Sequence, residues 1–261
     1  MAEMHERHER RPGLLRGAFR RRGIYLLPNL FTTGALFAGF YSIVQAMNQR
    51  FEHAVVAIFI AMVLDSLDGR VARLTRTQSE FGAEYDSLSD MVSFGVAPAL
   101  VMYEWALKSL GRWGWIAAFI HCAGAALRLA RFNTNIGVVD KRYFQGLPSP
   151  AAAALVAGFI WIIDDMKILA TLGIERVEII RWVAFGFTVF SGVTMVTNIP
   201  FYSFKDINFR RSVPFWAVLL VVLALVLISS DPPLVLFGLF VAYAVSGYVM
   251  WLVKFRRSSP F

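Results

Sequence analysis

Residues 65–90 read DSLDGRVARLTRTQSEFGAEYDSLSD, and they contain the aspartates Asp65, Asp68, Asp86 and Asp90. Positions three or four apart share one face of a helix, so each neighbouring pair is predicted to project both carboxylates in one direction. Two consecutive helices joined by a short turn near Gly82 would aim both pairs into one pocket. Oxygen ligands without nearby Cys or His favour a hard divalent cation such as Mg²⁺ or Mn²⁺. The stretch therefore predicts a metal site on a helical hairpin.

The chain around this stretch is strongly apolar. Of its 261 residues, 57% are hydrophobic and only 17% are charged. Soluble domains carry roughly 25% charged residues, so the composition excludes an ordinary soluble fold. Runs such as residues 213–228 do not alternate apolar and polar positions, which disfavours a membrane β-barrel. We predict an all-α fold, a polytopic bundle of transmembrane helices.

About eight apolar segments are long enough to be membrane spans. They are residues 30–46, 54–72, 86–107, 113–130, 148–169, 179–197, 213–229 and 233–253. If the N-terminus is cytoplasmic, the breaks on that side carry most of the Lys and Arg, as the positive-inside rule requires. We therefore expect an integral membrane protein, with both termini and the aspartates on the cytoplasmic side.

The chain shows neither a linker rich in Gly, Ser or Pro nor an internal repeat. We therefore expect one integral domain, residues 28–254, between a basic interfacial tail, residues 1–27, and a short basic tail, residues 255–261. The single cysteine, Cys122, excludes an intrachain disulfide. The net charge is +8, and the basic residues lie in the breaks between apolar segments. Orientation in the membrane and binding of anionic lipid headgroups explain this distribution better than binding of nucleic acid does.

The aspartates belong to a longer pattern, D-x2-D-G-x2-A-R-x8-G-x3-D-x3-D. Its fixed positions are Asp65, Asp68, Gly69, Ala72, Arg73, Gly82, Asp86 and Asp90. This pattern resembles the signature of the CDP-alcohol phosphatidyltransferase family. Four further segments resemble the bacterial integral-membrane phosphatidylserine synthases within that family: PNLFTTGALFAGF (28–40), SFGVAPA (93–99), RLARFN (128–133) and GLPSPAAAA (146–154).

The resemblance implies transfer of the phosphatidyl group from CDP-diacylglycerol to L-serine, with release of CMP. Two divalent cations, Mg²⁺ or Mn²⁺, would be bound by Asp65, Asp68 and Asp86 with a contribution from Asp90, and Asp90 would also accept the proton of the serine hydroxyl. The CDP site would be lined by Gly69, Ala72, Arg73 and Gly82, with polar contacts from Asn29 and Thr32. Helix capping after Pro28 is the competing interpretation of those two residues. The resemblance also implies a homodimer.

Binding of serine requires a partner for its carboxylate. Arg128 and Arg131 lie three apart on one helix face, and arginine suits a bidentate grip on a carboxylate. Alternatively, they bind the donor's phosphates or end a span on its positive side. Ser93 follows Asp90 by three residues and is predicted to line the same pocket. Asn133, Gln145 and Ser149 are further candidates.

Two rival functions share part of this pattern. The first is the same transfer to another alcohol, such as glycerol 3-phosphate, inositol phosphate or choline, because the metal and CDP motifs do not specify the acceptor. The second is a cation-coupled transporter. Transporter sites favour the bilayer midplane and repeated halves, whereas these aspartates have no counterpart in the second half of the chain.

Overall fold

The computed structural model describes residues 13–134, 143–166, 174–203 and 215–258. Its helices are α1 (Gly13–Met47), α2 (Phe51–Thr75), α3 (Glu80–Asp90), α4 (Ala97–Trp105), α5 (Arg112–Thr134), α6 (Ser149–Asp165), α7 (Ile174–Val196), α8 (Phe215–Ser230) and α9 (Pro232–Ser258). A π-helical turn, Met91–Val96, joins α3 to α4, and a short 3-10 helix, Leu107–Leu110, follows α4. Two short strands, β1 (Tyr143–Gln145) and β2 (Pro200–Tyr202), form an antiparallel ribbon.

The helices agree with the predicted membrane bundle. Each predicted span coincides with a helical segment, and the third span consists of α3, the π-turn and α4 together. Within the described ranges, four stretches are long and apolar enough to cross a membrane: Leu27–Met47, Arg112–Thr134, Val177–Val196 and Pro232–Lys254. The protein is therefore an integral membrane protein of all-α class, as predicted.

Two local features differ from the sequence-based expectations. Helix α1 begins at Gly13 and continues through Pro28, so part of the predicted N-terminal tail is helical. The chain reverses at residues 76–79, so the expectation of a turn near Gly82 is wrong. Gly82 lies inside the first turn of α3, because Ser79 caps that helix. The division into tails and one domain stays a prediction.

Helix α6 lies at the centre of the bundle. Every residue from Ala151 to Ile160 is buried, and this run, AAAALVAGFI, consists mainly of small side chains. Helices α2, α4, α7 and α9 all pack against it. Small residues allow helices to approach closely where lipid leaves no hydrophobic driving force between them. The alanine-rich sequence of α6 therefore explains how several helices share one narrow core.

The π-turn contacts the backbone of α1. The Ser93 hydroxyl donates to the Ala35 carbonyl at 3.0 Å, and the Ser89 hydroxyl donates to the Thr32 carbonyl at 3.1 Å. A Cβ atom on Gly39 would lie 2.7 Å from the Cα of Ser93. Glycine is thus required at position 39 for this approach, which sets the distance of α3 from α1.

We predict that Gly39→Ala lowers the free energy of unfolding by about 1 to 3 kcal/mol, because the added methyl group overpacks the contact with Ser93. The folded fraction during SDS titration of mixed micelles measures this change. Gly186→Ala is the matched control, since nothing lies within 4 Å of a Cβ at that position. Equal unfolding curves for the two variants would contradict the prediction.

Candidate metal centre and adjoining cavity

Three carboxylates meet where the end of α2 faces α3. Asp65 and Asp68 from α2 and Asp86 from α3 each offer an oxygen atom, and these atoms lie within 4.8 Å of one another. Asp68 is only 5% exposed, and the other two side chains are half-buried. The predicted convergence of the two helix faces is confirmed for these three aspartates.

The turn between α2 and α3 brings these aspartates together. Arg76 ends α2 in the left-handed conformation, with φ of 54°, and its N–H donates to the Ala72 carbonyl. Ser79 then begins α3 by accepting a hydrogen bond of 3.0 Å from the N–H of Gly82. A left-handed C-cap followed by a serine N-cap reverses the chain within a few residues. The two helices can therefore face each other along their acidic sides.

The aspartate cluster fits a divalent cation. The Oδ1 atom of Asp86 is buried and has no hydrogen-bond partner. Within the described residues, the single ion pair joins Lys108 to Glu104, so no Lys or Arg lies within 4.0 Å of the cluster. Adjacent, partly buried carboxylates without a direct ion-pair partner repel each other and lose part of their hydration. A hard cation removes both penalties, and a ligand set made only of carboxylates suits Mg²⁺ or Mn²⁺ rather than zinc.

Asp90 adjoins the cluster from the next turn of α3. Its side chain lies beside that of Asp65, and the positive charge of Arg128 acts on both carboxylates. Asp90 is therefore next to the three clustered aspartates on the side that faces α5. The predicted fourth carboxylate occupies the edge of the candidate metal centre.

A cavity of about 250 Å³ opens next to the clustered aspartates. Asp68 and Asp86 form part of its wall. The wall also contains every residue that the sequence predicted for the nucleotide: Asn29, Thr32, Gly69, Ala72, Arg73 and Gly82. The residues of the sequence motif therefore lie side by side, from the aspartate cluster to the wall of the cavity.

Asn29 and Thr32 reach this wall from the interior of α1. Since α1 begins at Gly13, the competing interpretation of these two residues as helix caps is wrong. The Thr32 hydroxyl donates to Oδ2 of Asp68 at 2.8 Å and is almost fully buried. Thr32 thereby orients a carboxylate of the aspartate cluster, and the side chain of Asn29 lies close to Gly82.

Arg131 donates hydrogen bonds to residues next to the β1–β2 ribbon and does not line the cavity. Its Nη1 donates to the Val196 carbonyl and to Oδ1 of Asn198, both at 3.1 Å. Its Nη2 donates to the carbonyls of Gln145 at 2.7 Å and Thr197 at 3.2 Å. Both terminal nitrogens are thus occupied by groups next to β1 and β2. Ser93 is likewise engaged in the bond to Ala35 and does not line the cavity.

Arg128 is buried and only partly satisfied. Its side chain is 8% exposed, and its Nη1 donates to the hydroxyl of Ser149 at 2.9 Å. Its guanidinium lies over the ring of Phe144, 5.9 Å from the centroid. The Nε–H is buried and has no hydrogen-bond partner. Arg128 therefore keeps an unused donor near Asp90.

Several residues around these groups were not predicted from the sequence. Thr77, Gln78 and Ser79 line the cavity, and Ser79 carried a usable signal because serine before a helix is a preferred N-cap. Phe144 and Tyr243 also lie near Arg128, and no local sequence pattern indicates that they do. Tyr243 belongs to α9 and approaches α5 only through the tertiary fold.

We predict that Asp68→Asn and Asp86→Asn each weaken Mn²⁺ binding at least about tenfold, because each variant removes a charged ligand from the cluster. Electron paramagnetic resonance of free Mn²⁺, titrated with purified protein, measures the affinity. Thr32→Val should weaken binding less, since it removes only the hydroxyl that orients Asp68.

Glu84→Gln is the matched control for this metal titration, because Glu84 is an exposed carboxylate on α3 outside the cluster. Its affinity for Mn²⁺ should equal that of the wild type. If Asp68→Asn and Asp86→Asn also bind Mn²⁺ as the wild type does, the cluster is not the metal centre.

Comparison with known proteins identifies the family of the chain. Residues 25–194 match the family model described as CDP-alcohol phosphatidyltransferase. A Helicobacter pylori protein is 37% identical over 232 residues, which cover 88% of this chain and 94% of the relative. A Methanocaldococcus jannaschii protein is 48% identical over 117 residues, 45% of this chain and 55% of the relative. A Saccharomyces cerevisiae protein is 38% identical over 141 residues, 49% of this chain and 50% of the relative. All three are named CDP-diacylglycerol--serine O-phosphatidyltransferase.

Proposed function

This chain belongs to the CDP-alcohol phosphatidyltransferase family, and we propose that it transfers the phosphatidyl group of CDP-diacylglycerol to L-serine. The products are phosphatidylserine and CMP. The observation that carries this proposal is the spatial continuity between the aspartate cluster and the cavity lined by the rest of the motif. The similarity to the Helicobacter pylori relative, which extends over 88% of the chain, supports serine as the acceptor.

The cavity is suited to the CDP part of the donor. Gly69 and Gly82 leave the helix backbones open, so a flat or phosphorylated group can approach closely. Arg73 lines the same wall and has no carboxylate within 4.0 Å among the described residues. Its guanidinium is therefore available for a phosphate of the donor.

Asp65, Asp68 and Asp86 would hold divalent cations, and we propose two, Mg²⁺ or Mn²⁺, with Asp90 as an additional ligand. When bound, such ions neutralise a diphosphate and stabilise the departing nucleotide. The orphaned Oδ1 of Asp86 and the absence of a direct ion pair to the cluster, in the part of the chain that the structure describes, support this assignment.

Asp90 is the proposed catalytic base. It would accept the proton of the serine hydroxyl while the serine oxygen forms a bond to the phosphorus that bears diacylglycerol. The bond from that phosphorus to the oxygen of CMP breaks in the same displacement, and CMP leaves with the electron pair. A carboxylate is a weak base, so its contribution depends on close positioning next to the acceptor.

Arg128 is the proposed partner of the serine carboxylate. Its charge acts on Asp90, so a bound serine can place its carboxylate at Arg128 and its hydroxyl toward Asp90. The buried, unpartnered Nε–H of Arg128 supports this role. Arg131 is less suitable, because its terminal nitrogens are occupied by the ribbon.

We also propose that the protein resides in a bacterial inner membrane, with the aspartates and both termini on the cytoplasmic side, and that it forms a homodimer. The predicted excess of basic residues on one side supports the orientation. Family membership supports the dimer. The integral domain of residues 28–254 between two basic tails remains part of the same proposal.

We predict that the purified protein, supplied with CDP-diacylglycerol and Mg²⁺ or Mn²⁺ in lipid or detergent, releases CMP when L-serine is added. Chromatographic measurement of CMP with single acceptor alcohols tests this expectation. Glycerol 3-phosphate, inositol phosphate and choline should give no CMP above background. Release with one of these alcohols but not with serine would reassign the acceptor.

Asp90→Asn is the control for a contaminating activity in this assay. It removes the proposed base without changing the size of the side chain, so turnover should be abolished while CDP-diacylglycerol still binds. An active Asp90→Asn enzyme would refute the base role of Asp90.

We predict that Arg128→Gln raises the KM for serine at least about tenfold and leaves the KM for CDP-diacylglycerol unchanged, because it removes the carboxylate partner and spares the nucleotide cavity. Steady-state CMP release at varied serine concentration measures the effect. Arg112→Gln is the matched control, since Arg112 is an exposed arginine at the opposite end of α5. An unchanged KM for serine in Arg128→Gln would exclude Arg128 as that partner.

A further inference from the structure

His121 is fully buried in α5 and contacts two other elements of the bundle. Its Nδ1 lies 2.7 Å from the hydroxyl of Ser191 on α7. Its Nε2 lies 3.1 Å from the carbonyl oxygen of Phe94 in the π-turn. The imidazole thus links α7 to the segment that directly follows Asp90.

Pro98 removes the usual helical partner of the Phe94 carbonyl. In an α-helix this carbonyl would accept from the nitrogen of residue 98, and proline has no N–H to donate. The proline ring also displaces the carbonyl four residues before it. The backbone widens accordingly, and the N–H of Ala97 donates to Val92, five residues earlier. The imidazole of His121 supplies the hydrogen bond that Pro98 cannot provide.

The hydrogen bonds define one tautomer of His121. The Phe94 carbonyl can only accept, so Nε2 carries the hydrogen and donates to it. Nδ1 then accepts, and the Ser191 hydroxyl is its donor, although the Thr188 carbonyl also lies within 2.8 Å of that hydroxyl. Backbone packing fixes the geometry, because a Cβ atom on Gly192 would lie 2.8 Å from the Cα of His121.

One face of α5 carries both the residues that contact the π-turn and the arginine of the proposed acceptor site. His121 and Arg128 are seven residues apart, two turns of the helix, and both side chains are buried. Between them, Ala125 contacts Gly95 of the π-turn, since a Cβ atom on Gly95 would lie 3.1 Å from the Cβ of Ala125. The π-turn is therefore held by α5 on one side and by the bond from Ser93 to α1 on the other.

We propose that His121 is a positioning residue for Asp90. By holding the Phe94 carbonyl, it fixes the widened turn one residue beyond Asp90 and so sets the distance of that carboxylate from Asp65 and Arg128. This inference rests on the proposed function, since it assumes that Asp90 acts on the acceptor. His121 itself does not line the cavity beside the aspartate cluster.

The test compares steady-state CMP release by His121→Phe, which removes the donor and keeps a ring, with His121→Gln, which keeps an N–H donor. His121→Phe should lower kcat on the order of tenfold to hundredfold, the effect of a misplaced reacting group, with an unchanged KM for CDP-diacylglycerol. His121→Gln should recover part of the lost kcat. Ser191→Ala, which frees the ring from α7, should lower kcat to a smaller extent.

Thr188→Val is the matched control, because Thr188 is a fully buried hydroxyl one turn from Ser191 whose Oγ1 bonds within its own helix to Ala184. Melting temperatures in detergent are measured for all variants. A wild-type kcat in His121→Phe overturns the proposal, and so does an equal loss of kcat in Thr188→Val at a similar melting temperature.

If His121→Phe does not fold, the comparison of Ser191→Ala with Thr188→Val takes its place, and Ser191→Ala must then lower kcat more than Thr188→Val does. If the wild type uses an alcohol other than serine, serine is wrong as the proposed acceptor. The kcat measured with that other alcohol still tests whether His121 positions Asp90.

Discussion

Mutual repulsion among three carboxylates is the constraint around which this bundle is organised. Asp65, Asp68 and Asp86 present oxygens within 4.8 Å of one another in a partly buried setting, and such an arrangement is costly without a cation. Three local features hold the aspartates together: the tight reversal after α2, the hydrogen bond from the Thr32 hydroxyl to Asp68, and the hydrogen bond from Ser89 of α3 to α1. The energy that stabilises the hairpin comes from the surrounding helices, and the alanine-rich α6 lets them pack around it.

Two kinds of surface meet at this centre. On one side, glycines and Arg73 form an open wall suited to a nucleotide diphosphate. On the other side, Asp90 faces Arg128, which is held by Ser149 and by the ring of Phe144. The division agrees with the proposed in-line displacement, in which the acceptor hydroxyl would attack phosphorus from the side opposite the departing CMP. It also explains why the motif residues lie on α2 and α3 while the proposed acceptor residues come from α5 and α6.

The motif-bearing part of the fold could be predicted because its spacing follows helical geometry. Asp65 and Asp68, like Asp86 and Asp90, are separated by three or four residues, and this fixes the face on which they lie. The turn between α2 and α3 was predicted near Gly82, because glycine is common in chain reversals. The turn comes earlier, because Ser79 is the N-cap that determines where α3 begins. The role of Arg131 could not be deduced, because its partners near β1 and β2 are brought to it only by tertiary folding. Pro98 is a local sequence feature that accounts for the widened turn after Asp90. No local feature indicates that His121 is the hydrogen-bond partner of this turn, because α5 reaches it only through tertiary folding.

The size of the cavity limits which part of a lipid it can hold. A space of about 250 Å³ suits a headgroup and is too small for two acyl chains as well, so only the polar end of a bound lipid would enter this cavity.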